Sequence, residues 1–464
     1  MQMKTWLTSL FLGAALLVWG QKNEPVTILG TGDTLDLSIA PISLNEVVLS
    51  NKKIGVDELI SKARAAMKKH YLGQQPQEIQ YFIRRSDYVK QNTNFTLKKS
   101  TDPAFDQTFF KNLAQSIPTR SDVHKEGMFH AVIGGTSTGL QTEMIKGMIL
   151  EDEDKTFDIA NIEEQLEKKI TKGLDAGNFF KVKSGVFGKK LKEDDFEFSS
   201  KKAKDSAKTP EQLAQERIKR AAGQAMQAQG WRKEMEEAAF FSEDGQIDVF
   251  ENYKKYRFQI IDYRWYQNDW VYVVRFEPKS GASYNGTLWI NETDYAVVQY
   301  KFNNLKPIKS FALLGIAYKV TGYKGHYIYK PNTQGGYQLH VGMLRKEAWV
   351  RVDRPLTLME RKSRTIGSKK LNEVDFKVNF KAEAQEEYTY LLQNQKPLKS
   401  EELSTWKPNH QKEWTKLSSY DKSFWGNTLQ LPPNESMEAF KLSKVNWSED
   451  KPDAVVGQQQ PAYG

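Results

Sequence analysis

Apolar and polar residues alternate most regularly between residues 256 and 302. Turn-forming residues interrupt this alternation at 267–269 and again at 291–294. Strict alternation with such breaks predicts consecutive antiparallel strands that present one apolar face. We expect the following residues to share that face: Tyr256, Phe258, Trp270, Tyr272, Phe276, Leu288, Val298 and Phe302.

A different spacing occurs nearer the start of the chain. Apolar residues recur at three- and four-residue steps from Val56 to Tyr71, while lysine and arginine occupy other positions. This spacing predicts an amphipathic helix, which Gly73 would end. From Glu78 the period changes to two and predicts a strand. We expect the helix to cover the apolar face of the sheet, with a lipid-sized cavity between them as the alternative.

The middle of the chain, about residues 105–250, mixes helical and extended patterns. The spacing predicts a helix over Ile162–Leu174 and a strand over Phe179–Phe187. Lys201–Glu237 is charged and rich in alanine and glutamine, which predicts a loop followed by an exposed helix. We interpret this stretch as a solvated helical insertion of about residues 195–240.

These patterns together predict an α+β protein that is mainly antiparallel β. The strand patterns continue after the insertion to about residue 390, and the end of the chain has the composition of a disordered tail. The predicted organisation is a signal peptide over 1–20, a short β-rich segment over 21–50, the helix and sheet domain over 51–430, and a mostly disordered tail over 431–464.

The first twenty residues have the pattern of a secretory signal peptide. Lys4 is the only charge before an apolar stretch from Trp6 to Trp19, and a cut before Gln21 would follow small or tolerated residues. The stretch is short for a membrane span, and an uncleaved N-terminal anchor is the alternative. Later segments are too polar to predict a transmembrane helix.

Composition narrows the classes of protein further. With 464 residues, 39% apolar and 27% charged, the chain can bury a substantial core. Its formal charge of +9 is a mild basic excess that is spread along the chain, which is typical of a solvated surface. Binding to anionic lipid, glycan or nucleic acid would be the alternative explanation of this charge. We expect no nucleic-acid partner. Because the chain has no cysteine, it can form no disulfide, thiol nucleophile or cysteine-based metal site.

One short motif has the form of a catalytic site. Gly135-Thr136-Ser137-Thr138-Gly139 fits the nucleophile elbow of serine hydrolases, with an apolar run before it and near-helical spacing after it. That elbow needs a parallel sheet, whereas the later sequence predicts mainly hairpins. The motif also arises by chance in roughly one chain in ten of this composition. We therefore expect a non-enzymatic protein, with a serine hydrolase using Ser137 as the alternative.

The sequence has no other motif that indicates a cofactor. Its six histidines lack the spacing of metal ligands, and no phosphate-binding glycine loop occurs. We therefore expect neither a metal nor a cofactor. A pair of carboxylates that only folding brings together stays open as an alternative.

Several short stretches of the chain resemble a known family. They are Leu44–Leu49, Gly55–Ile60 followed by Tyr81–Arg85, Phe180–Phe187 and Tyr420–Trp425. They are similar to exported Gram-negative proteins with a carboxypeptidase regulatory-like domain, in which the first stretch resembles the exit from that domain and the second the segment that comes next. The regulatory-like domain itself is truncated, because only 23 residues separate residue 20 from the exit motif. The resemblance implies no peptidase site.

A helix followed by a large antiparallel sheet also resembles the lipoprotein-carrier (LolA-like) fold, an incomplete barrel curved around helices. That resemblance implies a periplasmic or outer-membrane-associated protein of a Gram-negative bacterium, which binds a lipid, an acyl chain or an envelope protein. A purely structural scaffold is the remaining alternative. We predict that an apolar ligand would contact the aromatic face of the meander at Tyr256, Phe258, Trp270, Tyr272, Phe276 and Leu288.

Overall fold

The computed structural model describes residues 54–71, 76–134, 141–156, 178–184, 187–191, 209–241, 245–279, 281–363, 367–426 and 431–443. The predicted signal peptide, the 21–50 segment, the helix predicted over Ile162–Leu174 and the Ser137 motif all lie outside these residues. Each of these four therefore stays a prediction from the sequence.

The described residues form a mainly β structure with a few helices. The helices are α1 Val56–His70, α2 Gln107–Gln115, α3 Pro210–Glu237, α4 Ser400–Thr405 and α5 Glu435–Glu438. The strands are β1 Gln77–Ser100, β2 Arg120–Ile133, β3 Thr142–Glu151, β4 Asn178–Ser184, β5 Phe187–Leu191, β6 Tyr256–Tyr266, β7 Asp269–Pro278, β8 Tyr284–Asn291, β9 Val297–Asn304, β10 Lys309–Leu313, β11 Ile316–Pro331, β12 Tyr337–Ser363, β13 Ser368–Pro397 and β14 Thr415–Lys416.

All these strands belong to one open, curved sheet. Its main order is β14-β3-β2-β1-β13-β12-β11-β9-β8-β7-β6, while β10 pairs with β11, β4 with β12, and β5 with β4. The pairs are antiparallel apart from β14 with β3, which is parallel. The predicted class, an α+β fold with an incomplete barrel packed on the N-terminal helix, is confirmed.

The predicted meander corresponds to β6–β9. Gln267 and Asn268 form the two-residue turn between β6 and β7, with φ angles of 50° and 68°. Two positive φ angles in a two-residue loop define the turn whose twist matches that of paired strands. The turn therefore fixes the register in which Tyr263 lies opposite Tyr272, and a bulge at Ile261 then shifts it so that Phe258 lies opposite Phe276. Short connections of this kind make the meander predictable from sequence.

Three central strands are much longer than their neighbours, and they carry two separate cores. Strands β1, β12 and β13 have 24, 27 and 30 residues. At one end their apolar side chains join the first core, which includes the meander, α1 and α3. Towards the other end they join a second core, which includes Phe95, Phe110 and Phe376 and is covered by α2.

Helix α3 differs from the exposed helix predicted for Lys201–Glu237. Its first turns are exposed, but its second half is buried against the sheet through Ala221, Ala225, Ala228, Trp231 and Met235. The prediction of a fully solvated insertion is therefore wrong for this half. Alanine is only weakly hydrophobic, so a stripe of alanines gives little apolar contrast along the sequence.

The C-terminal region also differs from the prediction, because residues 431–443 pack on the sheet. We call residues 406–426 and 431–443 the strap. Leu431 and Met437 are buried in a third core on the opposite face of the sheet from α3. The buried guanidinium of Arg84 donates hydrogen bonds to the carbonyl oxygens of Pro432 and Leu431, at 2.7 and 3.0 Å. The segment 431–464, predicted to be mostly disordered, therefore contains packed residues at its start.

Candidate functional site

The predicted ligand-binding residues of the meander lie in the first core. Tyr256, Tyr272, Phe276 and Leu288 are buried, while Phe258 and Trp270 are half-buried. Trp270 lies at the end of the sheet and stacks on Tyr263, with ring centroids 4.8 Å apart. The structure thus brings five of the six together on one face and leaves Trp270 at its margin. Their contact with a ligand stays a prediction.

Helix α1 covers this part of the meander, as expected. Leu59 and Ile60 are buried in the same core as Leu288. At the end of the helix, the Tyr71 hydroxyl donates a 2.8 Å hydrogen bond to the carbonyl oxygen of Val297. The meander face beneath α1 is therefore packed core, which is one of the two alternatives that the sequence left open.

A second aromatic surface lies under α3, on one face of β1, β2 and β13. Tyr81 is stacked between Phe129 and Tyr390, with ring centroids at 5.6 and 5.3 Å. All three rings are buried. They belong to the same core as Trp231 and Met235 of α3, which covers this surface. We call these three rings the aromatic floor.

Trp414 of the strap covers the aromatic floor from the edge of the sheet. Its indole stacks on Trp231 of α3, with centroids 5.8 Å apart, and meets Phe129 edge-on at 5.9 Å. Gly127 and Gly147 lie opposite each other in β2 and β3. A Cβ atom on Gly147 would come within 2.6 Å of the Trp414 ring. The paired glycines therefore form a slot that admits this indole.

Polar contacts hold α3 at the margins of the floor. The Gln224 side chain accepts a 2.9 Å hydrogen bond from the backbone N–H of Trp414. The Gln229 side chain accepts one of the same length from the backbone of Gln141. Between these contacts the helix meets the sheet largely through alanine, which provides less buried apolar area than a leucine or phenylalanine would. Nearer its C-terminal end the helix is anchored by Trp231 and Met235, which are buried in the same core as the floor.

A cluster of buried charges lies next to the floor, along the same face of β1, β12 and β13. The Arg85 guanidinium contacts Asp87 at 2.8 Å and Glu386 at 3.2 Å. The Lys346 ammonium contacts Glu234 of α3 at 2.8 Å and Glu386 at 3.5 Å. The aromatic surface therefore ends at paired charges, an arrangement that matches an amphiphile with an apolar chain and a polar end.

The protonation of this charge cluster depends on burial. Burial raises the pKa of Asp87 to about 6, although the neighbouring Arg85 opposes the rise. Burial also acts to raise the pKa of Glu386, yet Lys346 and Arg85 hold it below its ordinary value. The cluster therefore keeps Glu386 ionised, while Asp87 can accept a proton in mildly acidic solution.

Tyr300 and Tyr329 each carry a hydroxyl that is buried in the first core without a hydrogen-bond partner among the described residues. These two tyrosines lie on β9 and β11, and both contact Phe240. A buried hydroxyl without a partner costs free energy, so such groups normally bond a protein atom, water or a ligand. The interior consequently offers polar positions that a water molecule or a ligand could fill.

The strands that flank the Ser137 motif form a hairpin. Phe129 of β2 lies opposite Met144 of β3, and the backbone N–H of Val132 donates a 3.0 Å hydrogen bond to the carbonyl oxygen of Gln141. Residues 142–151, where the near-helical spacing occurs, form β3 and not a helix. A nucleophile elbow needs a helix after the serine. The described flanks therefore lack the geometry of that elbow.

Two further findings concern metal binding and membrane-spanning helices. Among the residues that the structure describes, no group of three or more histidine and carboxylate side chains could hold a metal ion. Of the described helices, none combines the length and the apolar character needed to cross a membrane.

Little in the sequence indicates the aromatic floor or the residues that close it. Trp414 is one of several tryptophans after residue 400, and nothing local relates it to Gly127 and Gly147. Arg85 lies in a period-two pattern, where an inward-facing arginine interrupts the apolar positions after Tyr81. That interruption is the one sequence signal that could have identified the charge cluster.

Comparison with known proteins identifies no family. No protein-family model matches the chain, and no curated protein matches it. An outer membrane lipoprotein-sorting protein domain from Vibrio parahaemolyticus is similar in structure, with 10% identity over 75% of this chain and 96% of that chain and a TM-score of 0.21. MucB in the MucA/MucB complex of Pseudomonas aeruginosa shows 6% identity, coverage of 69% and 92%, and a TM-score of 0.16.

A second structure, of MucB in complex with MucA, gives 7% identity, coverage of 70% and 94%, and a TM-score of 0.16. Superpositions this loose do not establish a shared function. Membership of the carboxypeptidase regulatory-like family stays a prediction.

Proposed function

We propose that this protein is a non-enzymatic binding protein of the bacterial envelope, which holds an acyl chain or a similar amphiphile on the aromatic floor beneath α3. The predicted signal peptide supports its place in the envelope. In this proposal the apolar chain of the ligand lies along Tyr81, Phe129 and Tyr390. Its polar end lies at Arg85 and Lys346.

The observation that carries this proposal is the way in which α3 covers the floor. The helix buries Ala228, Trp231 and Met235 in the same core as the three aromatic rings, and its polar contacts with Trp414 and Gln141 lie at the margins. Lifting α3 exposes the rings of the floor together with Trp231 and Met235, and the aromatic side chains among these each provide a large apolar contact area. In this proposal the acyl chain takes the place of the helix against the floor, so that the apolar area of the rings stays buried.

A cross-link between α3 and the sheet tests whether the helix must move. Because the chain has no cysteine, T142C/Q229C places the only two thiols at contacting positions of β3 and α3. We expect the wild type and the unlinked double variant to take up a fluorescent fatty acid. Treatment with a short bismaleimide should abolish uptake by the double variant.

The matched control is K99C/E373C, which joins two strands of the second core whose side chains already contact at 3.1 Å. Linking β1 to β13 there should leave uptake unchanged. The proposal fails if the wild type takes up no fatty acid, or if the linked T142C/Q229C variant binds as well as the unlinked one. Recovery of a stoichiometric protein partner in place of a lipid would support the envelope-protein alternative.

A further inference from the structure

The turn between β10 and β11 exposes a group of large apolar side chains. Phe311, Leu313 and Leu314 are 40%, 57% and 53% exposed. Phe311 lies opposite Tyr318, on the face of β11 that carries the second core. The apolar face of that core therefore continues past its covered part and ends at an exposed turn.

The backbone conformation of this turn disfavours the leucine at its tip. Leu314 and Gly315 form a two-residue turn with φ angles of 50° and 80°. Turns of this type favour asparagine or glycine at both positions, and a bulky residue with positive φ is strained. The β6–β7 turn of the same chain uses Gln267 and Asn268. A leucine at the corresponding position therefore costs stability that a polar residue would avoid.

The turn is fixed by its backbone while its side chains point away from the protein. Arg354 donates to the carbonyl oxygen of Leu314, and its buried guanidinium also bonds the hydroxyl and carbonyl oxygens of Ser184 at 3.0 and 2.9 Å. The backbone N–H of Asp353 donates a 2.7 Å bond to the carbonyl oxygen of Gly315. The exposed side chains are thus presented on a firmly held support.

The charge around the turn is positive. The segment that carries the turn, residues 305–320, contains Lys306, Lys309 and Lys319 and neither aspartate nor glutamate. The adjacent acidic side chain of Asp353 is already paired, with Lys377 at 2.5 Å and Arg351 at 3.3 Å. Apolar side chains bordered by lysines match an interface that is apolar inside and anionic at its surface.

The shape of this feature favours a lipid surface over a protein partner. A stable protein interface buries about 800 Å² on each side, which a single hairpin turn does not offer. A turn can, however, enter the headgroup region of a bilayer, where a few apolar side chains are sufficient for reversible binding.

We propose that the β10–β11 turn is a membrane-docking site, at which Phe311, Leu313 and Leu314 enter an anionic lipid surface and Lys306 and Lys309 contact its headgroups. This site is separate from the floor beneath α3, and the proposal does not depend on ligand uptake there.

Leu314→Asn provides the main test, because asparagine suits the turn and removes only the apolar side chain. Protein purified from the envelope after native processing is sedimented with vesicles of phosphatidylcholine, with and without phosphatidylglycerol. We expect the wild type to bind the anionic vesicles more tightly, and Leu314→Asn to bind them about tenfold more weakly. Its thermal midpoint should be equal to or higher than that of the wild type.

Leu213→Asn is the matched control, since Leu213 is 49% exposed on α3, away from the turn. This variant should bind vesicles as the wild type does. Lys306→Gln and Lys309→Gln should each weaken binding about fivefold at low salt and reduce its dependence on salt. Absence of wild-type binding, equal binding by Leu314→Asn, or turn-dependent capture of a protein without vesicle binding would each overturn the proposal.

Discussion

Leu288 lies at a position where packing, and not a cavity, should govern the effect of a larger side chain. It is fully buried opposite Val274 and Tyr300, in the core that α1 covers. We expect Leu288→Trp to lower the free energy of unfolding by about 1–3 kcal/mol, because added volume forces neighbouring side chains out of place. Urea denaturation measures this change. Unchanged stability would instead indicate an open cavity at this position.

A second prediction concerns His124, which is buried between the sheet and the strap. Its Nδ1 lies 2.8 Å from the Ser86 hydroxyl and its Nε2 lies 3.2 Å from that of Ser436. Burial lowers the pKa of His124 to about 4, assisted by Arg84 and opposed by Asp122. The folded protein therefore holds this ring neutral where the unfolded chain would protonate it.

A lowered histidine pKa makes folding less favourable as the solution is acidified. The unfolded chain binds a proton below about pH 6.5, whereas the folded chain binds it only near pH 4, so stability is lost across that interval. We expect His124→Gln to reduce the loss of unfolding free energy between pH 7 and pH 4.5 by roughly 2–3 kcal/mol. Ser436→Ala, which keeps the ring, should retain the full pH dependence. An unchanged slope in His124→Gln would contradict this account.

At the scale of elements, the strap should depend on the slot that receives Trp414. Trp414→Ala removes the ring that bridges Trp231 and Phe129, and we expect it to cost about 1–3 kcal/mol. The strap should then become susceptible to limited proteolysis while the long strands stay protected. Trp265→Ala, at an exposed position of β6, is the control. Equal protection of the strap in both variants would show that Trp414 does not hold it.

The elements also show which parts of the structure a sequence can predict. Helix α1 and the meander were predicted because their apolar residues are large, regularly spaced and joined by short turns. Helix α3 was predicted as exposed because Ala225 and Ala228, which lie against the sheet, have little hydrophobic contrast with their neighbours. The slot for Trp414 depends on Gly127 and Gly147, which become opposite only through the register of β2 and β3.

For the whole molecule, the class of fold was predictable from the sequence, but the distribution of the packed groups between the two faces of the sheet was not. Arg84 and Arg85 are adjacent in β1, yet they serve opposite faces of the sheet. Arg84 pairs with the buried Glu126 beneath the strap, whereas Arg85 pairs with Glu386 beside the floor. Partners so distant in sequence are determined by strand register, which a pattern of alternation does not reveal. The same limit applies to the candidate site, whose parts come from four separate regions.

The position of β1 has a consequence for how the chain acquires its structure. One side of β1 pairs with β2, soon after it in sequence, but the other side pairs with β13, where Gln77 meets Pro397. A chain that emerges from a translocation channel with its N-terminus first must therefore hold a long unpaired strand edge until nearly all of it has crossed. Exposed edges of this kind invite intermolecular pairing, and distant contacts form slowly. For the envelope location that we propose, the yield of secreted protein should consequently be limited by events before the last strands arrive, when chaperones would have to shield β1.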